Sequence, residues 1–322
     1  MRSGVASYVA RRMLSVAPVW VGVSILAFTI ANLAPGDPAA MILQRQTGEP
    51  PSAADVARLR SQMGLDRPVI ARYGSWLSGS LRGDLGQSYR TGKSVFSSLT
   101  ENIPSTLRLS GAALLVGFAI ALPLGVASAV HQNSLLDHIV RIVALGGVSL
   151  PSFVIGYILV LLFSVKLGWF PVAGSGDLSH FVLPVMTLGL MEASALTRLT
   201  RASMLGVLFD DYVRSARAKG ASELRVVVRH ALRNALNPLV TFAGIRFGKL
   251  MGGAVIIEML FARPGLGTEV VGAIFDRDYP TIQGFVLLAG TLFLAVNLIV
   301  DITYARLDPR QRERLADSNA TD

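Results

Sequence analysis

Three charged residues stand inside otherwise apolar runs: Glu192 in the run 181–197, and Arg246 and Lys249 in the run 236–257. Runs of this length suit a bilayer, where a charge at mid-depth costs roughly 2.5–3.5 kcal/mol on insertion scales. Such groups face protein or water rather than lipid, and they seek partners. Arg246 and Lys249 lie three residues apart, so they share one helix face. Counted in from the same side, all three reach similar depth. The chemistry this allows is ion pairing, in which Glu192 closes with Arg246 or Lys249 and one cation is left over. Two consequences stay open. A surplus cation on a translocation path favours a solute that carries a carboxylate, whereas a self-neutralising pair only braces a helix contact.

Other chemistries find little support. His131, His138, His180 and His230 are scattered over separate polar segments and form no metal-ligand cluster, and the chain has no cysteine. No Ser/His/Asp set and no paired carboxylates stand at a spacing that suggests catalysis, so the chain is expected to be no enzyme and to need no cofactor. Gly92-Lys93-Ser94 imitates the end of a phosphate-binding loop, but the spacing requires glycine at 87, where Gln87 stands, and Gly86 is one residue too far. No strand-like stretch precedes it, so nucleotide binding by this segment is not expected.

The densest charge lies in the polar stretch Asp210 to Pro238. It carries Arg214, Arg217, Lys219, Arg225, Arg229 and Arg233 against Asp210, Asp211 and Glu223. Positive charge beside a span stays on the cytoplasmic side. Asp210 and Asp211 suit a helix start, where a carboxylate meets free N–H groups. Tyr212 to Lys219 contains no breaker, and Gly220 suits a left-handed stop. Ser222, as a cap, and Glu223 open a second helix. The shape expected is a short helix on the membrane surface, then a sharp turn. It suits contact with a cytoplasmic protein, or adhesion of a basic helix to anionic lipid.

These groups need a helical frame in a bilayer. Of 322 residues 52% are hydrophobic and only 16% charged, against about a quarter charged in a soluble domain. The net charge of +9 could suggest nucleic acid, but the basic residues cluster beside the apolar runs, so membrane lipid, not nucleic acid, is the expected partner. Met13 to Leu33 is 21 residues without a charge, too long for the apolar core of a signal peptide. Further spans are expected over 109–130, 142–165, 181–197, 236–257 and 281–300, with Pro123, Pro151 and Pro184 inside the second, third and fourth. Between the first two lies a polar segment, 34–104. There Val56, Leu59 and Met63 share one helix face, and Val69, Tyr73, Trp76 and Leu77 another, after Pro68. Six spans put both ends on one side. Sixteen lysines and arginines fall on the segments that share the side of the Asp210–Pro238 loop, against Lys166, Arg263 and Arg277 on the short opposite ones. Both termini are therefore expected in the cytoplasm, and 34–104 outside.

The series Tyr212-Val213-Arg214-Ser215-Ala216-Arg217-Ala218-Lys219-Gly220, followed by Arg229-His230-Ala231-Leu232-Arg233-Asn234, resembles the coupling loop of ABC-importer permeases, most closely the dipeptide/oligopeptide branch. Arg214 and Ser215 replace the Glu and first Ala of the broad importer pattern, while Ala216, Gly220 and Leu232 match it. Glu258 to Gly267, Asp276 to Pro280, Arg82 to Gly86, Pro104 to Leu107, Asn297 with Asp301, and Leu307 to Arg310 are similar to that branch too, so the likeness runs over essentially the whole chain.

The resemblance implies an all-α permease. Residues 1–33 form the cytoplasmic N-terminus and first span, 34–104 an extracytoplasmic insert, and 105–305 the permease core with the coupling loop 198–235. Residues 306–322 form a cytoplasmic tail. It implies a second permease subunit, usually a different chain, two ATPase subunits or domains, and an extracytoplasmic substrate-binding protein. Asp211, Tyr212, Arg214, Ala216, Arg217, Lys219 and Gly220 become coupling residues, and the insert a contact for the binding protein or a brace. The solute expected is a short peptide, with nickel chelate, glutathione or haem as alternatives. An ion-coupled carrier using Glu192 and Asp301, or a scaffold that transports nothing, is the contrasting class.

Overall fold

Prolines punctuate this chain, yet most do not interrupt it. The structure, a computed structural model, describes residues 2–33 and 36–307, leaving aside the side chains at 2–13, 46, 253, 301 and 303–307. The expected tail beyond Leu307, the residues Ala34 and Pro35, and the side chains of Arg2, Arg11, Arg12 and Asp301 thus lie outside the described residues. Helix α1 (Arg2–Leu33) continues through Pro18. Three short helices follow: α2 (Pro38–Thr47), α3 (Ala53–Gln62) and α4 (Val69–Leu81). Then come α5 (Val95–Val130), α6 (Leu135–Ser149) and α7 (Ser152–Leu159), the last prolonged by a π-helical stretch, Val160–Lys166. Helix α8 (Ser179–Leu208) leads to the short α9 (Asp211–Ala218). One turn, α10 (Glu223–Arg225), and a second π-helical stretch, Val226–Leu232, run into α11 (Arg233–Leu260). Helices α12 (Leu266–Phe275) and α13 (Tyr279–Leu307) complete the order. Among the described residues the one β-contact is an isolated bridge between Gln87 and Ser94.

Four stretches are long and apolar enough to cross a membrane: Leu14–Leu33, Val95–Val130, Ser179–Leu208 and Tyr279–Val300. Two bent pairs bring the number to six if each is one span. The second pair, Glu223–Gly252 and Ala254–Leu260, bends by 48°. The first departs from the sequence expectation of one uninterrupted span over 142–165. Leu135–Ser149 and Ser152–Lys166 meet at 107°. Leu150, held extended (φ −83°, ψ 133°) in front of Pro151, breaks the helix there. The second span also starts earlier than expected, because α5 runs unbroken through Pro104.

The contacts divide the chain into two compact units. The first consists chiefly of Pro104–Thr268 and is organised around α8. One apolar cluster joins Leu109 and Ala113 of α5, Leu159 of α7, Leu188 of α8, and Ile257 and Phe261 at the end of α11. A second joins Ala129, Met204 and Leu208 to Val227, Ala231 and Ala235. Helices approach closely where side chains are small. A Cβ on Gly125 would sit 2.5 Å from Cβ of Thr200, so α5 and α8 meet with no room for any side chain there.

The second unit, Arg11–Ile103 with Glu269–Thr291, holds the short helices. Their caps follow the sequence. The Asp37 carboxylate accepts the Ala39 N–H at the start of α2, and Ser52 accepts the Asp55 N–H at the start of α3. Helix α4 lays Tyr73 and Trp76 on Phe28 of α1, with ring centroids 5.4 and 5.7 Å from it. The buried Asp278 carboxylate accepts from the Ser88 hydroxyl (2.5 Å), the Tyr89 N–H (2.9 Å) and the Thr281 hydroxyl (2.8 Å). Burial, reinforced by Asp278, pushes the Tyr89 phenol up to about 12.

Candidate functional site

The basic stretch folds as an elbow. Helix α9 begins after Asp210, whose backbone is extended, but neither Asp210 nor Ser222 makes the expected side-chain cap bond. The acidic start acts through charge on the helix end instead. The stop is the one expected. Gly220 has φ +80°, the Ala221 N–H reaches back to the Ala216 carbonyl (3.2 Å) and the Gly220 N–H to the Arg217 carbonyl (2.9 Å). These two bonds are a left-handed helix termination that a side chain would strain.

The elbow is tied to its own unit. Val213 is fully buried, while Asp211, Tyr212, Arg214, Arg217, Lys219 and Gly220 are exposed and Ala216 is half-buried. Arg217 does more than offer charge. Its guanidinium donates twice to Glu223 (3.0 and 2.7 Å) and once to the Leu208 carbonyl at the end of α8 (3.4 Å). The Glu223 carboxylate holds that guanidinium above its ordinary value. Asn234 donates to the Tyr212 hydroxyl at 2.7 Å, tying α9 to the following arm. Arg214 keeps only a loose approach to Asp211 (3.8 Å). Phe209, Leu224 and Val228 stand exposed around the elbow, so its outer surface mixes apolar knobs with free cations.

The charges inside the apolar runs sort themselves. Glu192 is completely buried on α8 and accepts two bonds from Arg246, from Nε (2.7 Å) and Nη2 (2.6 Å). This fork-on-carboxylate geometry satisfies both charges. Phe242 lies beneath the same guanidinium, its centroid 5.9 Å away. Lys249 is not part of the pair. It is exposed, and with Ile245, Gly252 and Ile256 it forms one open stripe along α11.

Two more buried carboxylates are not legible from the apolar pattern. Asp137 of α6 accepts two bonds from Arg201 of α8 (2.6 and 2.8 Å), one from Ser128 (2.6 Å) and one from the Asn133 N–H (3.0 Å). The available signal is Ser134 three residues before Asp137, a helix-start pair in which Ser134 accepts the Asp137 N–H. Glu258 accepts from Thr106 (2.5 Å) and from the Gly267 N–H (2.7 Å), placing an anion at the start of α12. It lies in the segment 258–267 whose likeness to importer permeases is legible. Among the described residues no group of His, Cys, Asp or Glu could hold a metal ion.

Comparison with known proteins fits this frame. Residues 121–313 match the family described as binding-protein-dependent transport system inner membrane component, and residues 5–110 match its N-terminal companion. The glutathione transport system permease protein GsiC of Salmonella choleraesuis (strain SC-B67) is 39% identical over 306 residues, covering 95% of this chain and 99% of that protein. GsiC of Escherichia coli (strain K12) is 38% identical over 306 residues, again covering 95% of this chain and 99% of that protein. Among solved structures, an inward-facing conformation of the MetNI methionine ABC transporter shares the fold, with a TM-score of 0.51 at 19% identity over 65% of this chain and 93% of that one. With helices long and apolar enough to span, and family matches that together cover most of its length, the chain belongs to the binding-protein-dependent transport system inner membrane components, the multi-pass permease subunits of ABC importers.

Proposed function

We propose that this permease carries short peptides inward across the cytoplasmic membrane, glutathione being a tripeptide within that class. The observation that carries the reading is the exposed elbow, Asp211 to Gly220, in a chain that is 38–39% identical along 95% of its length to glutathione permeases. Of two partner ATPases, one presses on α9, and Arg214 and Lys219 meet it. Arg217 keeps the two arms of the elbow at a fixed angle. The second arm packs on the ends of α5 and α8, so displacement of the elbow is passed to those spans. A second permease chain and an extracytoplasmic binding protein complete the assembly. Both termini and the elbow lie in the cytoplasm and the insert 34–104 outside, which the distribution of arginine and lysine supports. The core runs over 105–305.

Lys249 supplies the net charge on the path. Glu192 and Arg246 neutralise each other, and the exposed ammonium one turn further along attracts the carboxylate of a peptide. The test is reconstitution of this chain with its partner subunits and binding protein in liposomes. ATP-dependent uptake of labelled glutathione or a dipeptide is the expected result. Uptake of neither, with nickel chelate or haem carried instead, ends the peptide reading. Uptake without ATP points to the ion-coupled carrier.

A further inference from the structure

Beside the ion pair of Asp137 and Arg201, α6 and α8 enclose an open cavity of about 360 Å³ lined by His138, Arg141, Ile142, Leu145, Arg198 and Arg201. Its charged lining is wholly basic. Arg201 is neutralised by Asp137, and His138 Nδ1 is held 2.8 Å from the Ser134 carbonyl. Arg141 and Arg198 have no ion-pair partner among the described residues. Two uncompensated guanidinium groups around one small cavity repel each other unless an anion sits between them. A planar guanidinium matches the oxygens of a phosphate group better than those of a lone halide.

The rest of the cavity is apolar and continues along α6. Ile142 and Leu145, 70% and 57% exposed, line the cavity together with Arg141. Arg141 sits in the second turn of α6, and Arg198 in the C-terminal half of α8. Charge is thus concentrated beside a greasy strip, an arrangement that fits a headgroup followed by a chain and not a free ion.

We propose that the groove between α6 and α8 binds an anionic phospholipid, with Arg141 and Arg198 on its phosphate and Ile142 and Leu145 against its first acyl carbons. The site goes beyond the transport reading and rests only on membrane residence, not on which side the termini occupy. Inorganic phosphate shares the headgroup chemistry but makes no use of the apolar strip.

The test uses the full chain with its co-purifying subunits, equilibrated in mixed micelles with equal amounts of phosphatidylglycerol and phosphatidylcholine. Retained lipid is counted by mass spectrometry. Phosphatidylglycerol should be retained in preference, about fivefold less after Arg141→Gln or Arg198→Gln, and at the phosphatidylcholine level after both. Arg141→Lys with Arg198→Lys, which keeps the charge and the fold, should give an intermediate loss. Arg58→Gln, an exposed arginine on α3, should change nothing. Equal retention of the two lipids by the parent, or unchanged retention by the double glutamine variant, overturns the proposal. Complete displacement of phosphatidylglycerol by inorganic phosphate also overturns it and assigns the cavity to a free anion.

Discussion

Arg246 closes on Glu192 with two near-parallel hydrogen bonds of 2.7 and 2.6 Å, joining α11 to α8 at a point where Glu192 has no exposed surface. Removing one partner of a buried pair strands the other charge, at a cost of about 3–5 kcal/mol. Arg246→Leu and Glu192→Leu should each lower the melting temperature and yield of the purified chain, while the double leucine variant recovers most of the loss. A single Arg246→Leu variant that melts like the parent would show that the pair contributes no net order.

Lys249 separates stability from transport. Being exposed and unpaired with Glu192, its replacement should change stability by no more than about 0.5 kcal/mol. Lys249→Glu should express normally, retain ATPase activity in the assembled importer and lose most uptake of an anionic peptide. Lys249→Arg should keep it. Normal uptake by the glutamate variant removes Lys249 from the path.

At Gly220 the constraint is conformational. Its φ of +80° costs a side-chain-bearing residue about 1–2 kcal/mol, and a β-branched one the most. Gly220→Val should insert into the membrane and assemble, yet hydrolyse ATP without moving solute. ATPase rate and uptake measured on one preparation decide this, and proportional loss of both would instead indicate misassembly.

Arg217 and Arg214 should behave differently despite lying on the same short helix. Arg217→Ala frees Glu223 and the Leu208 carbonyl together, so amide exchange and protease nicking across 208–223 should rise. Arg214→Ala removes only an exposed, 3.8 Å approach to Asp211, worth about 0–1 kcal/mol, and should leave exchange unchanged. Matching exchange profiles for the two variants would argue against the latch.

The contact of α5 with α8 leaves no space at Gly125. Gly125→Val would overlap Thr200 and should abolish monodisperse protein, by the few kcal/mol typical of overpacking. Thr200→Gly in the same chain should restore part of it, because it removes Cβ and Cγ2, two of the atoms in the way. Failure of any rescue would place the damage elsewhere.

Much of this organisation is local and therefore legible in the sequence. Hydropathy over some twenty residues marks the spans, and the run of charges between Asp210 and Pro238 with Gly220 at its centre foretells the elbow and its left-handed stop. Likewise the presence of one acid and two bases in apolar runs announces an ion pair. What remains hidden is which residues meet. Arg246 and Lys249 share a helix face, yet only Arg246, 54 residues from Glu192 in the chain, reaches it, and Lys249 is turned outward. Asp137 and Arg201, 64 residues apart, look like ordinary polar groups at the ends of spans until α6 and α8 pack. Pro18, Pro104, Pro123, Pro184 and Pro238 all sit inside continuing helices, whereas Pro151 divides two that meet at 107°. Residue type sets what each position can tolerate over a few neighbours. Partner choice and the places where a helix gives way depend on distances between helices far apart in the chain, and only packing in three dimensions decides those.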